Sequence, residues 1–209
     1  SWVNASKINL EYANGNIVSG ISYEWNGSTW ILGEDSVKIT INYNTNGTLD
    51  AAVIESWQEG WVKAVRLVNS YDAQNRVILR SSESFDGATW LVEEKVEYSY
   101  DANGNALTMK IFYNYNGTFT LASEEINTFD TSQLMAEFAH PFKDKNGLDY
   151  LFDVNGIVNK ILTTTSVDRR TTYIYGESTA SIPSFNLAAI KVYPTPATDV
   201  VNVSIKNGT

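Results

Sequence analysis

The chain has 209 residues, of which 43% are hydrophobic and 12% aromatic, and it carries a formal net charge of -9. This acidic balance argues against a nucleic-acid partner, because phosphate binding needs clustered Lys and Arg and none are clustered here. The sequence holds no apolar run long enough to span a bilayer and no cysteine, which excludes disulfides and thiolate chemistry.

Two sequence landmarks alternate along the first two thirds of the chain. The first is an aromatic residue before a polar turn, and it recurs at intervals of 31, 28, 29 and 29 residues, at Tyr12, Tyr43, Tyr71, Tyr100 and Phe129. The second is a turn between two aromatics, at Trp25 and Trp30, Trp57 and Trp61, Phe85 and Trp90, and Tyr115 and Phe119. A fixed period of this size predicts a repeat architecture, in which each unit buries its apolar face against its neighbours.

The turns of both landmarks predict β-hairpins. Asn-Gly and Asp-Gly supply the positive φ values that two-residue hairpin turns require. Between the turns, apolar and polar residues alternate with the period of a strand, so that one face of the array is expected to be continuously apolar and aromatic. We therefore predict an all-β fold, an antiparallel up-and-down meander of two-stranded units of about 29 residues. Roughly nine strands up to Phe129 should form a curled sheet or a barrel, with an elongated single-layer ribbon as the alternative.

The spacing of the landmarks divides the chain into four segments. Residues 1–130 are expected to hold half a unit and four full units, with Trp2 closing a unit that begins in a longer precursor. Residues 131–181 read as a divergent terminal unit that caps the last edge of the array. A linker is expected at 182–189, and residues 190–209 form a separate C-terminal segment.

The C-terminal segment resembles the opening of the sorting domain carried by cargo of the type IX secretion system of Bacteroidota. A Val-Tyr-Pro-x-Pro motif precedes an alternating strand, with Thr195 where Asn is usual, and the matching positions are Val192, Tyr193, Pro194, Pro196 and Asp199. The later motifs of that domain are missing, so the segment is expected to be its truncated start. The resemblance implies the type IX machinery as a partner and an extracellular or outer-membrane surface location.

The upstream units resemble the Tyr-Asp-x-Asn-Gly-Asn and Trp-Asn-Gly-x-x-Trp repeats of many secreted Bacteroidota proteins, which are loosely similar to YD repeats. Tyr100 to Asn105 and Trp25 to Trp30 carry the motifs. This resemblance covers roughly two thirds of the chain. It implies an extracellular location and no established chemistry.

The residues for catalysis or metal binding are sparse. His140 is the only histidine, so a Ser-His-Asp triad and a His-based metal site both lack partners. Two carboxylate pairs, at 93–94 and 124–125, are adjacent in sequence and should point to opposite faces of a strand. The Asp101 turn has Gly at its fourth position rather than the sixth of an EF-hand loop, so turn chemistry explains it. We expect no enzyme activity, no metal and no cofactor.

The tryptophans beside the turns leave two interpretations open. Flat rings stack on sugars or on other proteins, which makes candidate ligand-binding residues of Trp25, Trp30, Trp57, Trp61 and Trp90. Alternatively, cross-strand aromatic pairs hold hairpin register, each contributing about 0.2–1 kcal/mol. Recurrence of the pairs in every unit favours the structural role.

Together these patterns predict a non-enzymatic secreted or cell-surface module that serves as a spacer, in adhesion or in protein interaction. A carbohydrate-binding module using the rim tryptophans is the alternative. The corresponding partners would be cell-surface proteins or polysaccharide. An enzyme whose catalytic domain lies upstream is the third possibility that the sequence leaves open.

Overall fold

A computed structural model of the chain describes residues 6–138, 154, 156–175, 190–193 and 202–205. The chain divides into two units, Ser1–Tyr173 and Ile174–Thr209. The described part of the first unit is one antiparallel sheet of twelve strands, curled but not closed into a barrel. The predicted all-β meander is therefore confirmed.

The strands of the large sheet follow one another across it in chain order, except that the two-residue β3 branches off β2. Their bounds are β1 (Ser6–Ala13), β2 (Asn16–Trp25), β3 (Trp30–Ile31), β4 (Val37–Tyr43), β5 (Leu49–Trp57), β6 (Trp61–Tyr71), β7 (Val77–Phe85), β8 (Trp90–Tyr100), β9 (Ala106–Tyr115), β10 (Thr118–Leu134), β11 (Asn159–Thr165) and β12 (Arg170–Thr172). A 3-10 turn, Met135–Glu137, follows β10. Among the described residues, none of the helical structure has the length and apolarity of a membrane span.

The second unit contributes one described hairpin. Strand β13 (Ile190–Tyr193) pairs antiparallel with β14 (Asn202–Ile205), and Val192 lies opposite Val203. The expected linker at 182–189 lies outside the described residues.

The turns that follow the anchor tyrosines take two forms. Asn14 and Gly15 both have positive φ, at 51° and 82°, which is the predicted two-residue hairpin turn. The next three loops are longer. In the loop after Tyr71, the Asp72 N–H donates to the carbonyl of Arg76 at 3.0 Å, and only Asn75 has positive φ, at 62°. The prediction of two-residue turns is wrong for these loops, because a type I turn closed by one left-handed residue replaces it.

The apolar surface does not continue from β2 into β4 as the alternation predicted. Ile21 pairs with Lys38, whereas Ile39 pairs with Gly20. Directly paired residues share a face of the sheet, so the aromatic face of β2 continues into the lysine face of β4. The loop between β3 and β4 resets the register, and a shift by one residue moves every side chain to the other face.

The buried core lies on the face of the sheet opposite to the aromatic side chains of β2. Its centre is formed by Ile39, Ile41, Leu49 and Ala52, with Ile54 and two other side chains packed against them. Gly20 lets β1 and β4 meet across β2, since a Cβ there would lie 3.0 Å from the Leu10 side chain and 3.1 Å from that of Ile39.

The anchor tyrosines tie each unit to the one before it. The hydroxyls of Tyr43, Tyr71 and Tyr100 donate to the backbone carbonyls of Ile17, Leu49 and Val77, at 2.8, 2.6 and 2.7 Å. Each of these carbonyls belongs to the residue paired with the preceding anchor. At the fifth anchor, Phe129 has no hydroxyl, and Asn127 Nδ2 donates to the equivalent carbonyl of Ala106 at 3.0 Å instead.

We expect Tyr100→Phe to cost about 1 kcal/mol of unfolding free energy at pH 7, the net contribution of one hydrogen bond. Burial, together with the neighbouring Tyr98, raises the pKa of Tyr100 from 10.0 to about 12. The folded state thus holds this proton more tightly than the unfolded state. Its contribution is complete below pH 10 and is lost as the pH rises toward 12.

Urea unfolding of the wild type and of Tyr100→Phe at pH 7 and at pH 10 to 12 tests this prediction. The difference between the two proteins should shrink with rising pH. Tyr12→Phe is the matched control, because Tyr12 is 62% exposed. Equal losses in the two variants would contradict a stabilising role for the hydrogen bonds of the anchor tyrosines.

Candidate functional site

The five candidate tryptophans lie at hairpin ends and meet only in pairs. Trp25 packs edge-on against Trp30 with ring centroids 5.1 Å apart, and Trp57 packs against Trp61 at 5.2 Å. Trp90 pairs with Phe85 at 5.0 Å. All of these rings are half-buried. This arrangement is the cross-strand pairing expected of a structural role, and each hairpin keeps its own pair.

Two of these hairpins share one turn geometry. Gly27 and Gly87 have φ of 98° and 99° at the first central position, as a type II′ turn requires. Asp86 Oδ1 accepts the N–H groups of Ala88 and Thr89 at 2.8 and 2.7 Å, and Asn26 plays the same part in the first hairpin. The turn therefore fixes the register in which the aromatic pair meets.

The fourth hairpin departs from the pattern. Asn116 and Gly117 both have positive φ, so a two-residue turn pairs Tyr115 with Thr118 and places Phe119 opposite Asn114. Neighbours along a strand point to opposite faces, so Tyr115 and Phe119 do not form the predicted pair. The loop of this hairpin has two residues, Asn116 and Gly117, whereas the loop between Trp57 and Trp61 has three.

A cation from the preceding unit covers the closing ring of each hairpin. Lys7 lies 5.7 Å from the ring centroid of Trp30, Lys38 5.3 Å from Trp61, Arg66 4.9 Å from Trp90 and Lys95 3.9 Å from Phe119. Each pair contributes about 0.5–1 kcal/mol at a partly exposed position. Sequence reasoning missed this cation ladder, although a basic residue stands 23 or 24 residues before each closing ring.

Carboxylates hold two of the four ladder cations in place. Lys38 pairs with Glu55, and Arg66 pairs with Glu83, whose Oε2 accepts from Arg66 Nε at 2.6 Å. Glu83 is only 8% exposed, and Arg66 compensates for the water that its carboxylate loses on burial. The chain's own cations consequently cover Trp30, Trp61 and Trp90. Within the described part of the chain, no cation lies over Trp25 or Trp57.

One residue of each predicted carboxylate pair, 93–94 and 124–125, is engaged in its own contact. Glu93 accepts the Ser84 hydroxyl at 2.6 Å, and Glu124 pairs with Lys110 at 3.3 Å. The described residues contain no group of three or more His, Cys, Asp and Glu side chains that could hold a metal ion. His140 lies outside the described residues.

The Asp101 carboxylate accepts hydrogen bonds from residues of its own turn. Oδ1 accepts the N–H groups of Asn103 and Asn105 at 2.9 and 2.8 Å, and Oδ2 accepts from Asn105 Nδ2 at 2.8 Å. Burial would raise the pKa of Asp101, but the hydrogen bonds from Asn105, Asn103 and Gly104 outweigh it and hold that pKa below its usual value. These bonds support the interpretation of the loop as turn chemistry.

We expect the stabilising effect of Asp101 to disappear in acid. A carboxyl whose pKa is lowered on folding stabilises the protein fully above its ordinary pKa of 3.8, and this contribution is lost as the pH falls through the folded value. Hydrogen bonds lower the pKa of Asp72, Asp86 and Asp130 in the same way. The difference in unfolding free energy between the wild type and Asp101→Asn should therefore be largest at pH 7 and shrink below about pH 4.

Urea unfolding at pH 7, 4 and 3 measures this change. Asp50→Asn is the control, since Asp50 is exposed and belongs to a strand rather than to a turn. A constant difference between wild type and Asp101→Asn at all three values would show that the ionised form plays no special part.

A cleft lies beside the loop between β3 and β4, within the longest interval between anchor residues, Tyr12 to Tyr43. The loop between β3 and β4 and the hairpin of β5 and β6 border an open cleft of about 670 Å³, lined by Leu32, Gly33, Glu34, Ser56, Trp57, Gln58 and Glu59. The 31-residue spacing from Tyr12 to Tyr43, against 28 or 29 elsewhere, was the sequence signal of this inserted loop. Sequence reasoning did not recognise it.

Hydrogen bonds fix the inserted loop against the sheet. The Trp57 N–H donates to the Ser36 carbonyl at 3.1 Å, and the Asp35 N–H donates to Glu24 Oε1 at 2.7 Å. Ser36 is 1% exposed and its Oγ accepts the Gly33 N–H at 3.0 Å. One wall of the cleft is therefore preformed.

The residues of the sorting motif are only partly described. Val192 and Tyr193 belong to β13. Pro194, Pro196 and Asp199 lie outside the described residues.

Comparison with known proteins identifies a similar fold and no function. No family model and no curated protein matches the chain. A protein of unknown function from Bacteroides fragilis is similar at 13% identity, with a TM-score of 0.50, over 58% of this chain and 91% of that chain. A DUF3836 family protein from Bacteroides vulgatus matches at 14% identity, with a TM-score of 0.24, over 57% of this chain and 92% of that chain. The first likeness shows the fold alone.

Proposed function

We propose that this protein is a non-enzymatic β-repeat module that is exported by type IX secretion and acts at the cell surface as a spacer, in adhesion or in protein interaction. The observation that carries the proposal is that the repeated polar and aromatic side chains form contacts between one unit and the next. Anchor tyrosines bond the preceding unit, and closing rings hold the cations of the preceding unit. These contacts join each repeat unit to its neighbour and so stabilise the array.

The acidic turn residues support the same proposal. Asp72, Asp86 and Asp101 each accept hydrogen bonds from the backbone of their own turn. A catalytic carboxylate instead needs free lone pairs aimed at a substrate, usually with a partner across a cleft. These carboxylates act in folding.

Export is the part of the proposal that rests on the C-terminal motif. We expect the complete gene product, produced in a bacterium that carries the type IX machinery, to reach the cell surface. There it should be cleaved by protease added to intact cells. Replacement of Tyr193 and Pro194 by alanine should retain it inside the cell, whereas Lys191→Ala should not. Equal surface exposure of the two variants would refute the sorting assignment.

The alternative proposal is carbohydrate binding through Trp25, Trp30, Trp57, Trp61 and Trp90. A polysaccharide chain needs accessible ring faces in a row. Lys7, Lys38 and Arg66 cover three of the five rings. This coverage favours the spacer or interaction role.

Titration of the purified chain with soluble polysaccharides, followed by tryptophan fluorescence, separates the two proposals. We expect no saturable change. A saturable change that disappears in Trp25→Ala or Trp57→Ala would establish carbohydrate binding in place of the spacer role.

A further inference from the structure

We propose that the cleft beside Trp57 binds an organic cation, a primary ammonium or guanidinium group. The cleft is lined by the half-buried Trp57 and by two exposed acidic residues, Glu34 on the inserted loop and Glu59 on the hairpin turn. Aromatic faces and carboxylates are the groups that recognise such cations. The proposal does not depend on export or surface location.

The cation ladder shows what this ring lacks. Trp61, its partner in the same hairpin, carries Lys38, and Lys38 is itself neutralised by Glu55. Within the described residues Trp57 carries no cation, and neither Glu34 nor Glu59 forms an ion pair. The cleft thus brings an aromatic residue and two acidic residues together with no cation of the described chain beside them, and the proposed ligand supplies that cation.

The position of the cleft distinguishes it from the repeated surface. Structural pairs recur in unit after unit, whereas the inserted loop at 32–36 occurs in one unit only of the described array. That loop is fixed by the bonds of Ser36 and Asp35 described above, so Glu34 is carried on an ordered segment. Preorganisation of this kind lowers the entropy cost of binding.

Glu59 lies at a strained position of the hairpin. Its φ is 56°, in the left-handed region that glycine or asparagine adopts more easily. Gly60 follows it and does not take the positive φ. A residue that carries this strain beside a cleft supports a functional role for its carboxylate.

Titration of the 15N-labelled chain with spermidine tests the proposal through the indole N–H signals. We expect a saturable shift of the Trp57 signal that weakens as salt is added. In the double variant Glu34→Gln, Glu59→Gln, which keeps the size of both side chains, the affinity should fall about tenfold. The matched control, Glu11→Gln with Asp50→Asn, removes two exposed charges elsewhere and should bind as the wild type does.

Two further ligands identify the source of the cation and the competing chemistry. N-acetyl-lysine amide and a lysine-containing pentapeptide carry the same ammonium group. Tighter binding of the pentapeptide supports a polypeptide side chain as the ligand, and equal binding supports a small amine. Equal affinity for spermidine in all three proteins, no shift of Trp57, or a shift with a neutral oligosaccharide but not with spermidine would each overturn the proposal.

Discussion

Replacing Asn105 by alanine is expected to destabilise the protein by about 2–4 kcal/mol, because it leaves several buried polar groups without partners. Asn105 is 0% exposed. Its Oδ1 accepts the N–H groups of Val158 and Asn159 at 3.0 and 2.7 Å. Its Nδ2 donates to Asp101 Oδ2 at 2.8 Å and to Asn159 Oδ1 at 2.9 Å. One amide thus joins the turn before β9 to the start of β11.

Urea unfolding compares Asn105→Ala with the wild type, and hydrogen exchange reports on the amides of Val158 and Asn159. Both amides should exchange much faster in the variant. Asn103→Ala, an exposed substitution in the same turn, should stay within about 0.5 kcal/mol of the wild type. A loss in Asn105→Ala as small as that of the control would mean that this network does not hold β11 in place.

Replacing Ile41 by alanine should cost a comparable 2–4 kcal/mol, roughly the range for emptying a buried aliphatic site. Ile41 is 3% exposed and packs with Ile39, Leu49 and Ala52. The core of this sheet contains few fully buried residues among those described, so the neighbours have little apolar volume with which to fill the cavity.

Thermal and urea unfolding of Ile41→Ala measure that cost. Val37→Ala is the control on the same strand, since Val37 is 43% exposed and should lose much less. If the control lost as much stability as Ile41→Ala, the assignment of Ile41 to a buried core would be wrong.

The local part of the fold could be predicted from the sequence. Asn-Gly and Asp-Gly turns, strand alternation and a fixed period require contacts only between neighbouring segments, and a meander makes only such contacts. Three of the four aromatic pairs follow from the same local rules. The fourth fails because Asn116-Gly117 selects a shorter turn, a choice that the positions of Tyr115 and Phe119 alone do not reveal.

Other features depend on register or on distant residues, which a pattern search does not detect. The loop at 32–36 decides whether Ile21 faces Ile39 or Lys38, and its conformation depends in part on Glu24 and Trp57, which lie outside the loop. Asn105 and Asn159 are separated by 54 residues along the chain. The cation ladder joins residues of different units, and its contacts could be recognised only from the strand pairing in the structure.

The cleft beside Trp57 could not be recognised from the repeated residues of the sequence. Five tryptophans were equivalent candidates in the sequence, and the structure separates them by what covers each ring. Only the longest interval between anchors marked the position of the cleft. A departure from the period was therefore more informative about a site than the repeated residues themselves.

The most direct test of the repeat account is removal of one complete unit, Asp72–Tyr100. This deletion takes out β7 and β8 and joins Tyr71 to Asp101, which follows Tyr100 as Asp72 follows Tyr71. Strand β6 should then pair with β9 in the register of β8, and Arg66 should cover Phe119 in place of Lys95. We expect cooperative urea unfolding with a smaller m-value, because less surface is buried. Loss of cooperative unfolding would contradict the account, since the units would then not be interchangeable.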